Sequence, residues 1–245
     1  FMERSFVSTS RLFEKETYER LCNYRIGIIG LGGVGSWIAE ALTRSGFKKL
    51  VLIDYDHVTE SNINRQVQAT TGSLGYPKIK ALSNRLLQIN PKVEVIPHEV
   101  FFSQENSFKL LNDKHTDFWI DACDDIKAKI SLINSFKRKD RKKNILICGG
   151  AGGKTDPFKI VHTDLSKTVN DPLLSKLRYK LRKEYDFPRV GKMEISVLSS
   201  CQTPINPITK TSAKLGCNGY GSIVTITASF GMKASYVAIN QLLKL

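Results

Sequence analysis

The stretch Arg25-Ile-Gly-Ile-Ile-Gly30-Leu-Gly32-Gly33-Val-Gly35-Ser36 constrains the fold more than any other part of the chain. An apolar run ends in clustered glycines, and a helical pattern (Trp37, Ile38, Ala41, Leu42) begins at once and stops at Gly46. Lys49-Leu-Val-Leu-Ile-Asp54 then reads as a second buried strand. Strand, glycine turn, helix and strand within about thirty residues make one βαβ unit, in which both strands are parallel and the helix covers one face. Glycines let the backbone approach a phosphate, and a helix N-terminus offers unpaired amides and the positive end of its dipole. A nucleotide site is therefore expected around Gly30, Gly32, Gly33, Gly35 and Ser36. Asp54 closes the second strand, placed either to accept two ribose hydroxyls or to end the strand in a turn.

The alternation continues on both sides of this unit. Residues 16–24 suit a short amphipathic helix. Downstream come a helix at Pro77–Ile89, a strand at Val93–Val100 and a helix at Ser103–Leu111. A strand at Asp117–Asp121, a helix at Asp125–Lys137 and a strand at Asn144–Cys148 follow. The pattern predicts an α/β, Rossmann-like fold, a mostly parallel sheet with helices on both faces. Beyond Gly153 the rhythm breaks into a basic amphipathic helix at Pro172–Glu184, a loop holding Pro188, Pro204 and Pro207, and a final segment from Gly219 to Leu245. One domain over residues 1–245 is the simplest expectation, with a nucleotide-binding core at 11–153 and a variable, substrate-facing C-terminal portion at 154–245.

Composition removes several classes. With 41% hydrophobic and 24% charged residues among 245, the chain is neither disordered, fibrous nor membrane-spanning. The longest apolar run near the C-terminus, Ile223 to Met232, is too short for a bilayer. Met2 reads as the natural start, no export signal follows it, and a cytoplasmic protein is expected. Five widely spaced cysteines (Cys22, Cys123, Cys148, Cys201, Cys217) then read as reduced thiols. Without a Cys-x-x-Cys pair and with scattered histidines, a structural zinc site is not expected.

The segment after Asp54 selects the nucleotide chemistry. Asp56, Ser61-Asn62-Ile-Asn64-Arg65-Gln66 and Gly75-Tyr-Pro77-Lys78 put many polar side chains directly behind the ribose acid. Hydride transfer needs none of them. Cleaving ATP between its α- and β-phosphates does, because charge builds on the α-phosphate and the departing pyrophosphate, and preplaced Arg, Lys and amide groups must meet it. Asp121-Ala-Cys-Asp124-Asp125 follows a strand, so its carboxylates sit at the sheet's C-terminal edge, where they could hold Mg²⁺. The competing local readings are a helix cap for Asp124 or Asp125 and a solvated position for Lys78.

Taken together these motifs resemble the ubiquitin-activating-enzyme-like superfamily, which includes the thiamine- and molybdopterin-pathway adenylyltransferases, over residues 11–125. The resemblance implies ATP as substrate, held at Gly30, Gly32, Gly33 and Asp54, with Asn64, Arg65 and Lys78 along the phosphates and Asp56, Asn62 and Gln66 beside them. It implies Asp124 as the Mg²⁺ ligand, and Arg11 as an arginine reaching into the partner subunit's site of a homodimer. Sulfur-transfer members of that superfamily carry paired Cys-x-x-Cys zinc ligands, which this chain lacks. Gly149-Gly-Ala-Gly-Gly153-Lys154-Thr-Asp156-Pro157, Asp164-Leu-Ser-Lys167-Thr168, Asp171-Pro172-Leu, Cys217-x-Gly-Tyr-Gly-Ser222 and Arg11-Leu-Phe are instead similar to the tRNA threonylcarbamoyladenosine dehydratase family. That similarity implies adenylation of the threonyl carboxylate of the modified adenosine beside the anticodon. Ring closure then releases AMP, an ATP-driven dehydration. It also implies a cysteine desulfurase or sulfur-acceptor system among the partners.

The charge agrees with an RNA substrate. Lysine and arginine number 37 against 23 acidic residues, a net charge of +14, which attracts polyanions. One basic run spans Lys137 to Lys143, and Lys176, Arg178, Lys180, Arg182 and Lys183 crowd one short helix near Tyr179 and Tyr185. Such residues give salt-dependent phosphate contacts and rings on which a splayed base can stack. A solvated basic face is the competing reading of either run alone.

Cys217 is a candidate acyl-accepting nucleophile, but only Lys214 lies near it to lower its pKa, and a tethered attack on an adenylate needs no thiol. The carbonyl-rich Gly149–Gly153 loop could bind a monovalent cation, K⁺ or Na⁺. The runner-up function is adenylation of the C-terminal glycine of a ubiquitin-like sulfur-carrier protein. A catalytically dead binding module is disfavoured because Arg65, Lys78 and Asp124 are all present.

Overall fold

The computed structural model describes residues 4–112, 115–138, 144–206 and 219–244. Two short N-terminal helices, α1 (Val7–Ser10) and α2 (Lys15–Asn23), lead into β1 (Arg25–Ile29), α3 (Gly35–Arg44) and β2 (Lys49–Asp54). Next come α4 (Lys78–Ile89), β3 (Glu94–Glu99), α5 (Gln104–Asn112), β4 (Phe118–Asp121), α6 (Ile126–Arg138) and β5 (Ile145–Cys148). The rest of the chain forms β6 (Ile160–Asp164), α7 (Pro172–Glu184), β7 (Ser196–Ser200) and α8 (Val224–Leu242).

These strands make a seven-stranded sheet in the order β3-β2-β1-β4-β5-β7-β6. Every pairing is parallel except β6 with β7. Strand order reverses at β1, between β2 and β4, so the crevice where α/β sheets bind ligands opens at the C-terminal ends of those strands. The alternation of side chains along each strand separates two apolar layers. Ile26, Ile28, Leu50, Leu52 and Ile120 join α3, α4 and α8 on one face. Ile29, Val51, Ile53, Trp119 and Ile147 join α5, α6 and α7 on the other. Gly27 of β1 makes room for the indole of Trp119, its neighbour on β4, which any side chain at Gly27 would strike.

The elements expected through Cys148 all form, with ends shifted by a residue or so. After Gly153 the expectation needs correction. The proline-containing loop encloses β7, an inner strand of the sheet, and Ile160–Asp164 is the antiparallel edge strand beyond it. Ser-Val-Leu-Ser-Ser carries two apolar residues among hydroxyls, too weak a period to read, and its partners lie far away in sequence. The final segment is the long helix α8, whose Ile226, Phe230, Ala234, Val237, Ala238 and Leu242 are buried against α3 and the sheet. Gly231 allows that close crossing, since a side chain there would collide with Trp37 of α3. Burying Phe230 alone contributes about 1.5–3 kcal/mol. Among the described residues no helix is long and apolar enough to cross a membrane.

Candidate active site

A cavity of about 450 Å³ lies over the C-terminal ends of β1, β2 and β4, between the first glycine loop and the loop after β5. The first loop is shaped by its own backbone. Gly30 adopts φ +84°, and a Cβ there would come within 2.8 Å of the Cys123 backbone nitrogen. A side chain at Gly35 would strike the Gly30 carbonyl, so the helix can start this close to the strand only with glycine at that position. Gly32 is different: nothing lies within 4 Å of where its Cβ would stand, which leaves an open cradle at the helix N-terminus. Asp54 is buried and fixed from both sides, one oxygen accepting the Leu31 N–H at 2.5 Å and the other the Asp56 N–H at 2.8 Å. Each carboxylate oxygen has a second lone pair, so the group still suits a ribose.

The polar segment folds over this loop. Lys78, the first residue of α4, is buried along its stem and sets its ammonium 2.8 Å from Asp56 at the cavity, which excludes a merely solvated lysine. Arg65 donates to the Ser61 carbonyl at 2.6 Å and to the Asn64 side chain at 2.9 Å, so its guanidinium is held in place at the cavity wall. Its own carbonyl accepts the Trp37 indole N–H at 3.0 Å, tying the segment to α3. Asn62 caps its short turn by accepting the Thr59 N–H, and Gln66, also buried, accepts from Gln68.

Gly30, Gly32, Gly33, Asp54, Asp56, Asn62, Arg65, Gln66, Lys78 and Asp124 all line the cavity. Gly35 and Ser36 stand behind its wall, where the Ser36 hydroxyl accepts the Val67 N–H at 3.3 Å. Asn64 lies off the cavity and donates to the Ser222 carbonyl at 3.0 Å, bridging to the C-terminal portion. Arg11 is exposed at the end of α1, away from the cavity. Cys217, Lys214, Pro207 and the run from Lys139 to Lys143 lie outside the described residues.

The adjacent carboxylates after β4 divide their work. Asp125 caps α6, accepting the Ala128 N–H at 2.7 Å, while Asp124 stands exposed at the cavity. Tyr55 feels these acids: Asp56 first, then burial, then Asp54, Asp124 and Asp125 push its phenol above the usual pKa. Among the described residues no cluster of three or more acidic, His or Cys side chains is built for a metal. Mg²⁺ bound to a nucleotide needs only one or two carboxylates besides the phosphates, and Asp124 fits that role. Below it, the fully buried Asp121 pairs with Lys129 at 3.3 Å, and Lys129 also donates to the Cys148 carbonyl at 2.9 Å. Burial works against the Lys129 ammonium, but the Asp121 carboxylate together with Cys123 and Cys148 raises its pKa. Lys129 could have been found as a lone lysine on the apolar Leu132–Ile133–Phe136 face of α6. Burial pushes the Cys148 thiol up to about 12 and raises that of Cys123 as well, so neither suits a nucleophile.

The opposite wall is the loop after β5. Asp171 caps α7 by accepting the Leu174 N–H and also accepts the Gly150 N–H, both at 3.0 Å. Gly149 packs so tightly on that carboxylate that a side chain would strike it. Gly153, at φ +70°, donates to the Gly221 carbonyl at 2.8 Å and accepts the Ile205 N–H at 2.7 Å. The next residue, Lys154, is buried at the cavity. On α7, Arg178 turns inward to the Leu165 and Thr168 carbonyls at 3.1 and 3.0 Å, and Lys137 of α6 is held by the Tyr185 and Asp186 carbonyls. Lys176, Lys183 and Tyr179 remain exposed, with the Lys183 ammonium over the Tyr179 ring.

Comparison with known proteins extends this picture. The ThiF family pattern matches residues 7–244. The tRNA threonylcarbamoyladenosine dehydratase of Haemophilus influenzae is 44% identical, over 99% of this chain and 94% of that protein. The crystal structure of the Escherichia coli tRNA N6-threonylcarbamoyladenosine dehydratase TcdA in complex with ATP superposes with a TM-score of 0.86 at 33% identity, covering 98% of this chain and 93% of that one. Its complex with AMP gives a TM-score of 0.87 at the same identity and coverage.

Proposed function

The chain belongs to the ThiF family, and from that premise we propose that it uses ATP to dehydrate threonylcarbamoyladenosine in the tRNA anticodon loop. The observation that carries this reading is that one cavity is lined on one side by the glycine loop and phosphate cluster, and on the other by the Gly149–Gly152 loop and the start of α7. A nucleotide and an acyl acceptor can meet there. In the first step a carboxylate oxygen of the substrate attacks the α-phosphorus, the α–β phosphoanhydride breaks, and pyrophosphate leaves. In the second, a nucleophile of the same nucleoside attacks the acyl carbon and AMP departs with the former carboxylate oxygen. The nucleoside has then lost the elements of water. Because the attacking atom is already tethered, its effective molarity is high and ring closure can proceed without an enzyme thiol, Cys217 remaining the candidate if an acyl-enzyme forms.

The residues take distinct parts. The Gly32 and Gly33 amides and the α3 dipole receive phosphate, and Asp54 orients the ribose. Arg65 and Lys78 meet the charge that grows on the α-phosphate and the leaving pyrophosphate. Mg²⁺ held by Asp124 and the nucleotide would neutralise phosphate charge there. Asn64 links this cluster to the C-terminal portion through Ser222. Residues 11–153 then serve as the nucleotide-binding core and 154–245 as the substrate-facing part. Exposed Lys176 and Lys183 with Tyr179 offer phosphate and base contacts to tRNA. Arg11, outside its own cavity, suits a homodimer in which it completes the partner subunit's site. A cytoplasmic setting follows from the substrates, and a cysteine desulfurase or sulfur acceptor is a further partner to seek.

The test is release of AMP and pyrophosphate from ATP and Mg²⁺, with tRNA carrying threonylcarbamoyladenosine set beside tRNA lacking it. Turnover with the modified tRNA alone, with loss of one water's mass from the nucleoside, is expected. Turnover indifferent to tRNA but dependent on a carrier protein ending in Gly-Gly would overturn the reading.

A further inference from the structure

We infer that Lys154 is a positioning residue for this reaction, its ammonium serving as a built-in cation that clamps the substrate-side wall of the cavity. The inference rests on the function proposed above. Lys154 is 2% exposed, and its Nζ donates to three backbone carbonyls, those of Asn170 and Ser200 at 2.9 Å and Gln202 at 3.0 Å. An ammonium has three N–H donors and no acceptor, so this cage satisfies it fully, whereas a neutral amine would turn a lone pair toward an oxygen. Among the described residues Lys154 forms no ion pair. Burial lowers its pKa, and the nearby Asp171 carboxylate offsets part of that effect.

The three carbonyls belong to different segments behind that wall. Asn170 precedes the cap of α7 and takes the left-handed φ of +55°. Ser200 ends β7, and Gln202 leads toward Pro204 at the cavity. Through its own backbone Lys154 continues from the Gly149–Gly153 loop. The Gln202 side chain closes the knot by accepting the Thr155 and Asp156 N–H groups, both at 2.9 Å. One charge thus joins the loop, the α7 start and the β7 end. Lys154 places a positive charge of its own directly after the carbonyl-rich Gly149–Gly153 loop.

Removing the ammonium orphans three carbonyls and frees the wall, so alignment suffers while ATP binding on the other wall does not. Lys154→Ala is expected to melt at lower temperature and to turn over about a hundredfold more slowly, with the Kd for ATP within about twofold of wild type. Propylammonium, the fragment deleted, should restore melting temperature and turnover saturably, while tetramethylammonium at equal ionic strength should not. Lys154→Met, of similar length but uncharged, should stay impaired. If Lys154→Ala does not fold, nitrogen-15 lysine spectra of the wild-type protein decide instead: a slowly exchanging ammonium resonance, absent from Lys154→Met, is expected. Wild-type behaviour of Lys154→Met, equal rescue by tetramethylammonium, no rescue by propylammonium, or no such resonance would each overturn the inference. Failure of the wild type to act on modified tRNA would instead refute the proposed function, and the melting and spectral results would still decide the clamp.

Discussion

Two glycine-rich loops face each other across the cavity, and they are held by opposite means. Gly30 and Gly35 are needed because the first loop folds against itself and against Cys123, its closest limits being backbone atoms. Gly149 and Gly153 are needed because the second loop is pressed chiefly by side chains, Asp171 on one side and Pro204 and Tyr220 on the other. The first loop is bounded by backbone, its own at Gly30 and that of Cys123 after β4. The second is bounded mainly by side chains, which can shift. A loop bounded by backbone can bind its ligand in preset form, while a loop bounded by side chains can pass strain between its holders.

The largest expected effect is at Gly35. Gly35→Ala sets a methyl against the Gly30 carbonyl, which cannot move without unmaking the turn. A loss of about 3 kcal/mol or more in chemical denaturation is expected, with ATP binding abolished in calorimetry. Gly149→Ala meets a carboxylate on a side chain that can yield, so about 2 kcal/mol is expected, with ATP affinity kept and turnover reduced. Equal loss of ATP binding in both variants would erase the distinction between the loops.

Glu40 tests whether the first loop depends on the far anchoring of its helix. This buried carboxylate on α3 accepts from Arg85 of α4 at 2.8 Å and from Arg44 at 2.7 Å. Burial favours its neutral form, but the two arginines prevail and hold its pKa below the usual value. The stabilisation is therefore present above the unfolded carboxylate pKa and is lost as pH falls through the lowered folded one. Glu40→Gln should cost about 1–2 kcal/mol at neutral pH, since the arginines are partly exposed, with ATP affinity unchanged. In melting curves its gap from wild type should narrow progressively at acid pH. The smallest change in stability belongs to Gly32→Ala, within about 0.5 kcal/mol, because its Cβ meets nothing. That methyl would occupy the phosphate cradle, so weakened ATP binding at unchanged stability is the outcome that sharpens the contrast.

What was legible in the sequence divides along local and distant signals. Gly30 to Asp54 could be read because period, glycine spacing and strand end are local signals. Lys78 stands out in the polar segment behind Asp54, and Asp124 by its place after a strand, with their roles taken from the family resemblance. Asp125 as the cap and Asp124 as the free acid were two open readings that only the α6 geometry separates. Strands β6 and β7 were not legible, because Val197 and Leu198 become buried through β5 and β6 and not through any pattern of their own. Arg178 looked like an RNA contact for its charge alone, and the Thr168 turn that captures it lies ten residues upstream. Gly35 and Ser36 sit in the glycine motif, yet both stand behind the cavity wall.

The placement of α8 also bears on time. Ribosomes deliver this chain from its N-terminus, and the sheet around the nucleotide loop can pair as soon as β4 and β5 emerge. Yet Ile226, Phe230 and Val237, which cover α3, arrive only with α8, long after α3 itself. β6 likewise waits for β7 before it has a neighbour. Until α8 is made the nascent protein therefore carries an uncovered apolar face on its most finished part, and α8 is the late stitch of a core begun by β1 and α3.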